Sequence, residues 1–223
     1  MPKMHIFLHI AKTGGTTFSF PLRRLYGFRN TLHIGNQDHD GLRPTAYCEL
    51  PQSQQDRVQL IKGHVYYGVH SYCPGSSTYF TLLRNPVGRV ASFHRMLQNE
   101  WPRTDVGQMS LREYLEEDHY TRNEQVRRVA GLPPDEGPCT EETLSKALEN
   151  VERDFAVLGL TERFDESLIL MKRRLGWPGY PYYVTSRVGR KKREGNTKEE
   201  KEMEPSVAER IRQQNAIDVQ LYR

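Results

Sequence analysis

Six residues near the N-terminus carry the first sign of chemistry. Lys12-Thr13-Gly14-Gly15-Thr16-Thr17 follows the apolar run Met4–Ile10 and precedes Phe18, Leu22 and Leu25 at helical spacing. Two adjacent glycines let a backbone curl until several N–H groups converge on one point. A helix starting just behind them adds the positive end of its dipole. Three threonine hydroxyls and the Lys12 ammonium complete a set suited to a phosphate or sulfate group. A Walker A loop places its lysine after the last glycine. Here Lys12 precedes both glycines, which disfavours a nucleoside triphosphatase. A simple tight turn is the plainer use of a glycine pair; the strand in front, the lysine and the threonines weigh against it.

A second set lies in Leu82-Leu83-Arg84-Asn85-Pro86-Val87-Gly88-Arg89-Val90-Ala91-Ser92. It again runs strand, turn, helix, and proline is favoured at a first helical position. Arg84 falls at a strand end, where open α/β sheets bind ligands. Ser92 follows eight residues later, about two helical turns on. An arginine extended along that helix meets the serine hydroxyl at one phosphate group, and its planar fork suits bidentate contact. Taken singly, such residues more often form a salt bridge or face water.

These residues need a scaffold. Met4–Ile10, Val58–Lys62, Tyr79–Leu83 and Phe155–Leu160 read as buried strands. Helices are predicted at Thr16–Tyr26, where Pro21 should kink or shorten the element, at Val87–Leu97 after Pro86, and at Leu111–Glu117, Asn123–Val129, Glu141–Glu152 and Asp165–Leu175. Ser110 and Thr140 are expected N-caps. Ser206-Val207-Ala208-Glu209 matches a capping box for a last helix running on through Ile211, Ala216, Val219 and Leu221. Asn30–Gln55 reads as loop with at most short elements, and Gly131–Pro138 as loop. Strand–loop–helix units recur at both motifs, so the expected fold class is α/β: one domain over residues 1–223, with a central parallel sheet flanked by helices.

The composition allows this reading and removes others. The chain has 223 residues, 32 Lys and Arg against 28 Asp and Glu, and a formal charge of +4. No apolar run approaches the ~20 residues of a membrane span, and no signal-peptide pattern opens the chain. Cys48, Cys73 and Cys139 form no CxxC pair, so neither a disulfide framework nor a zinc site is suggested, and a reducing cytoplasmic setting is the expectation. The mild positive charge suits an anionic small ligand as well as nucleic acid.

Together these motifs resemble the sulfotransferases, which transfer sulfuryl groups from 3′-phosphoadenosine 5′-phosphosulfate. Lys62-Gly63-His64-Val65 is similar to the G-H-V segment of the uronyl 2-O-sulfotransferase branch, and Gly159–Glu166 through Leu175-Gly176-Trp177 looks like the bacterial "family 2" type. Asn85 departs from the aspartate usual there. The resemblance implies a P-loop-like sulfotransferase fold. It places Lys12, Thr13, Gly14, Gly15, Thr16 and Thr17 on the donor's 5′-phosphosulfate, and Arg84 and Ser92 on its 3′-phosphate. It implies no metal, the product adenosine 3′,5′-bisphosphate, and a small-molecule or oligosaccharide hydroxyl as acceptor. Lys12 would then stabilise charge on the departing phosphate. His64 is expected as general base, since it follows a strand and Gly63 and a histidine's pKa of ~6.5 suits proton transfer.

Several alternatives stay open at this level. His70 lies in the same tyrosine-rich loop, His9 reads as a core or supporting residue, and Lys62 as a charge near the donor or a solvated lysine. Arg187–Lys201 reads as a mobile basic loop in which Arg190 and Lys192 would cover the donor's 3′-phosphate. Tyr180, Tyr182 and Tyr183 are candidates for a pocket wall. A nucleotide kinase with a degenerate loop, or a non-catalytic binder of anionic polymers using Arg190–Arg193, are the competing functions. No stacking aromatics interleave that basic run, so nucleic acid is not expected as a partner.

Overall fold

Strand β1, Met4–Leu8, sets the plan of the molecule. Its side chains alternate between two apolar layers, so the strand must be covered on both faces. In the computed structural model, which describes residues 3–35, 44–117, 122–183 and 203–223, β1 lies at the centre of a five-stranded sheet of order β2-β3-β1-β4-β5. The other strands are β2 (Thr31–Ile34), β3 (Leu60–Gly63), β4 (Ser77–Leu83) and β5 (Phe155–Leu160). Every pairing is parallel. His5 pairs with Leu60 and Phe7 with Lys62, while Ile6 pairs with Ile61 and Tyr79.

One face, carrying Phe7, Leu60 and Phe80, packs on Phe18 and Leu22 of α1 (Gly15–Tyr26) and on Leu168 and Met171 of α8 (Phe164–Leu175). The other, carrying Ile6, Leu8 and Tyr79, packs on Val126 and Val129 of α6 (Glu124–Ala130) and on Leu144 and Ala147 of α7 (Glu141–Asp154). Helix α3 (Pro86–Glu100) forms a third apolar cluster with α5 (Leu111–Glu117) and α9 (Pro205–Gln214). The short α2 (Gln52–Gln55) and α4 (Asp105–Gln108) fill connections, and α10 (Ala216–Tyr222) closes the chain against α6. No helix among the described residues is long and apolar enough to cross a membrane.

Several local expectations need correction. Among the short elements of residues 30–55 is a strand, β2, which the sequence did not single out and which pairs with β3 at the sheet edge. It has only four residues and is mostly half-exposed, so its sequence carries little apolar signal. Helix α1 runs through Pro21 to Tyr26. Pro21 is buried there, and packing outweighs the one backbone hydrogen bond a proline removes. The last helix begins at Pro205 with Glu204 as N-cap, and Ser206 donates to the Glu204 carboxylate at 2.6 Å instead of closing a capping box. It breaks at Asn215 into α9 and α10. Thr140 caps α7 as expected, and Ser110 exchanges hydrogen bonds with Glu113 at the start of α5. The basic stretch 187–201, with Arg190 and Lys192, lies outside the described residues.

Candidate active site

The chain leaves β1 toward β2 and β3 on one side, and leaves β4 toward β5 on the other. The sheet therefore changes direction between β1 and β4, and ligands of such sheets sit beyond the strand ends at that point. The loop 12–17 follows β1, Arg84 follows β4, and His64 follows β3. Three strand ends thus bring the three predicted groups to one edge of the sheet.

The first loop is built to leave N–H groups open. Gly14 is the N-cap of α1, at φ 85°, and no side chain caps the helix. A helix leaves its first N–H groups without internal partners, and here they lie beside exposed Thr16 and half-buried Thr17. Thr13 behaves differently: it is fully buried and its hydroxyl donates to the Ile10 carbonyl at 2.9 Å. Its side chain braces the loop. Lys12 has φ 67°, a left-handed conformation uncommon outside glycine, and its carbonyl accepts Arg84 Nη1 at 3.2 Å.

That bond joins the two motifs, and a threonine reinforces it. Thr161 Oγ1 lies 2.8 Å from the Thr13 carbonyl and 2.9 Å from that of Leu83. Asn85 caps α3, its side chain accepting the Val87 N–H at 3.0 Å. The departure from aspartate thus retains a working cap. Ser92 lies half-buried two turns into α3. Three residues on, and so on the same helix face, is Arg95. Burial lowers its pKa first, and the nearby Arg84 charge lowers it further. Arg95 was not singled out by sequence reasoning; its spacing from Ser92 was the available signal.

His64 stacks on His9 with ring centroids 4.2 Å apart. Its pKa is pushed down to about 4, first by burial and then by the Arg128 charge, with Glu124 pulling the other way. His64 Nδ1 is buried with no hydrogen-bond partner. His9 is held well below the usual histidine range by burial and by His64. A Cβ on Gly15 would stand 1.8 Å from His9 Nε2, so the second glycine exists to admit this ring. The phosphate-type loop thus rests on His9, and His9 on His64. His70 is elsewhere: its Nδ1 lies 2.9 Å from the hydroxyl of Tyr79, whose strand position points to the face opposite Phe7 and Lys62. Lys62 reaches Ser19 of α1 at 3.5 Å, and burial lowers its pKa. Tyr182 lies over the Arg24 guanidinium and Tyr183 bonds Asp165 at 2.8 Å, so both are engaged by α1 and α8. Tyr180 is 90% exposed.

Helix α6 touches both sides of the site, a role sequence reasoning did not find. Arg128 donates to the His64 carbonyl. The Gln125 carboxamide accepts the Arg84 N–H at 2.8 Å and donates to the Arg84 carbonyl at 2.9 Å. Glu124 pairs with buried Arg89 at 2.7 Å and with Arg128 at 3.0 Å.

The arrangement pairs an uncapped helix start with a nearby arginine fork and a largely buried imidazole, in the order the sulfotransferase resemblance implies. The model of the galactose-3-O-sulfotransferase family matches residues 2–223. The chain belongs to that family. The sulfotransferase resemblance is therefore borne out, and the galactose-3-O family is the one that matches. Galactose-3-O-sulfotransferase 2 of Homo sapiens is 28% identical over 95% of this chain and 57% of that protein. The Mus musculus protein of the same name is 25% identical over 97% of this chain and 59% of that protein. This chain thus spans less than three-fifths of either relative. A sulfotransferase from Alicyclobacillus acidocaldarius shares the fold, with a TM-score of 0.56 at 18% identity, over 99% of this chain and 94% of that one.

Proposed function

We propose that this chain transfers the sulfuryl group of 3′-phosphoadenosine 5′-phosphosulfate to a hydroxyl of a carbohydrate, a galactose residue being the first candidate given its family. The observation that carries the reading is the hydrogen bond from Arg84 Nη1 to the Lys12 carbonyl. It brings an uncapped helix start and an arginine fork together at one edge of the sheet. The backbone N–H groups from Gly15 to Thr17 and the Lys12 ammonium hold the 5′ end. Arg84 and Ser92 hold the 3′-phosphate. Arg190 and Lys192 stay as further candidates there from sequence alone.

The acceptor oxygen forms a bond to sulfur as the bond from sulfur to the bridging phosphate oxygen breaks. His64 takes the acceptor's proton, and Lys12 and the loop N–H groups meet the charge left on the departing phosphate. Without ligand, His64 is neutral at pH 7 and a weak base. The donor brings roughly four negative charges at neutral pH to a site crowded by Arg128 and Lys62. Nearby negative charge raises a histidine pKa, so donor binding strengthens the base it needs. His64 fits this role better than His70, which is engaged by Tyr79.

The test combines binding and turnover. Adenosine 3′,5′-bisphosphate should raise the melting temperature without Mg²⁺, and Mg-ATP should not. With labelled donor and N-acetyllactosamine, label should pass to the sugar, and His64→Ala should cut turnover ~10²–10⁴-fold while sparing donor binding. Full turnover in His64→Ala would assign the base elsewhere, and stabilisation by Mg-ATP alone would favour a kinase.

A further inference from the structure

Arg84 lies between the end of β4 and the start of α3 and belongs to neither element. It is 6% exposed, it stands near a second guanidinium on Arg95, and its strand ends at Leu83. A buried residue between two elements needs its backbone N–H and C=O paired from elsewhere in the fold. The fixing group is Gln125, fully buried on α6, 41 residues away in sequence. Its carboxamide closes on Arg84 from both sides, oxygen on the N–H at 2.8 Å and nitrogen on the C=O at 2.9 Å. A glutamine can supply both an acceptor and a donor at once. The pairing copies the way a neighbouring strand would hold a residue, at a point where β4 has already ended.

Helix α6 has only seven residues, too few to be rigid alone. The end of the chain steadies it. Asp218 of α10 is fully buried, and its carboxylate accepts the N–H groups of Val126 at 2.8 Å and Gln125 at 3.2 Å. Asn123 accepts the N–H groups of Ile217 at 3.1 Å and Asp218 at 3.0 Å in return. At the other end Asn150 of α7 donates to the carbonyls of Val129 at 3.0 Å and Ala130 at 3.4 Å.

We propose that Gln125 is a positioning residue for the donor's 3′-phosphate: anchored through α6 to Asp218 of the final helix, it holds the Arg84 backbone so that the guanidinium points at that phosphate. The inference rests on the donor reading above. It makes α10 part of the donor site without touching the donor. Gln125 acts chiefly at the 3′ end: Arg84 also meets the Lys12 carbonyl, but Thr161 and His9 hold the loop 12–17 independently of it.

The experiment compares adenosine 3′,5′-bisphosphate with adenosine 5′-monophosphate by calorimetry, using the whole chain. The wild-type chain should prefer the bisphosphate strongly. Gln125→Met keeps the volume and deletes both bonds; it should weaken the bisphosphate roughly 10- to 100-fold and leave the monophosphate within about threefold. Gln125→Glu keeps an acceptor for the Arg84 N–H but loses the donor, and should fall between; it serves if the methionine variant does not fold. Tyr26→Phe deletes the phenol that bonds Trp177 and His5, away from α6, and is the control for mere destabilisation. It should lower the melting temperature and preserve the preference. Equal loss of preference in Tyr26→Phe and the Gln125 variants, or full preference in Gln125→Met, would overturn the proposal. A wild-type chain with no preference would instead remove the donor reading itself.

Discussion

His64→Gln should make the protein more resistant to acid. The wild-type imidazole has its pKa depressed to about 4, from an ordinary 6.5, by burial and Arg128. The unfolded chain therefore binds a proton in the window between these values, and the folded chain does not. Stability is fully present above pH 6.5 and falls as pH drops toward 4. A shift of this size corresponds to at most about 3–4 kcal/mol, and about 2 kcal/mol of it should be lost by pH 5. Glutamine matches the size of the ring's polar end and does not titrate, so its variant lacks this slope. Asp218 titrates across the same range with the opposite sign. Burial pushes it up to about 6 against the pull of Arg89, so its contribution is lost as pH rises through that value. Because Asp218 is present in both proteins, it cancels in the difference. The assay is urea unfolding of both proteins at pH 7.5, 6.5, 5.5 and 5, at ~0.15 M salt to screen surface charge. The difference between them should grow in favour of the variant as pH falls. Adenosine 3′,5′-bisphosphate should shrink the wild-type slope, because its charge returns the His64 pKa toward the ordinary value. Parallel pH curves for the two proteins would refute the depressed pKa, and with it the account of how the base is primed.

Two further substitutions test how the loops are held. Gly15→Ala places a methyl 1.8 Å from His9 Nε2. His9 is confined by Phe7 and His64, so the variant should lose ~1–3 kcal/mol in denaturant titration and also lose donor affinity; wild-type behaviour would show that His9 moves freely. Thr161→Val removes the hydroxyl between the Thr13 and Leu83 carbonyls and should cost ~1–2 kcal/mol. Unchanged stability on unfolding would remove Thr161 as a brace between the two motifs.

The parts of this site written in local sequence were legible, and the parts made by distant contacts were not. Lys12–Thr17 announces itself because strand, glycine pair and helix follow one another within a few residues. Arg84 is legible for the same reason. Thr140 was readable as a cap because its partner Thr143 is three residues away. Gln125 carries no such mark: its amphipathic helix reads as ordinary packing, and its partner lies 41 residues back. Asp218 is more distant still from Arg89, which it approaches at 4.0 Å. Edge strand β2 was missed because a short strand exposed on one side needs few apolar residues. Ser206 shows the reverse error, a local pattern overruled by a proline one residue earlier that starts the helix itself.

The two helix starts beside the site explain why its two ends use different chemistry. Helix α1 is uncapped by any side chain, so its backbone N–H groups and dipole remain available to an anion. Helix α3 is closed: Pro86 has no N–H, Asn85 Oδ1 takes that of Val87, and the Glu162 carboxylate takes that of Asn85 at 2.8 Å. A carboxylate at that point repels a second anion. On the donor reading proposed above, a phosphate near α3 lies along its side, where Ser92 and Arg95 are. Backbone groups then serve the 5′ end, and side chains serve the 3′-phosphate. A flexible lysine offers a point charge, whereas a guanidinium offers a directed fork. That difference makes the orientation of Arg84 matter, and it accounts for a buried carboxamide devoted to fixing its backbone.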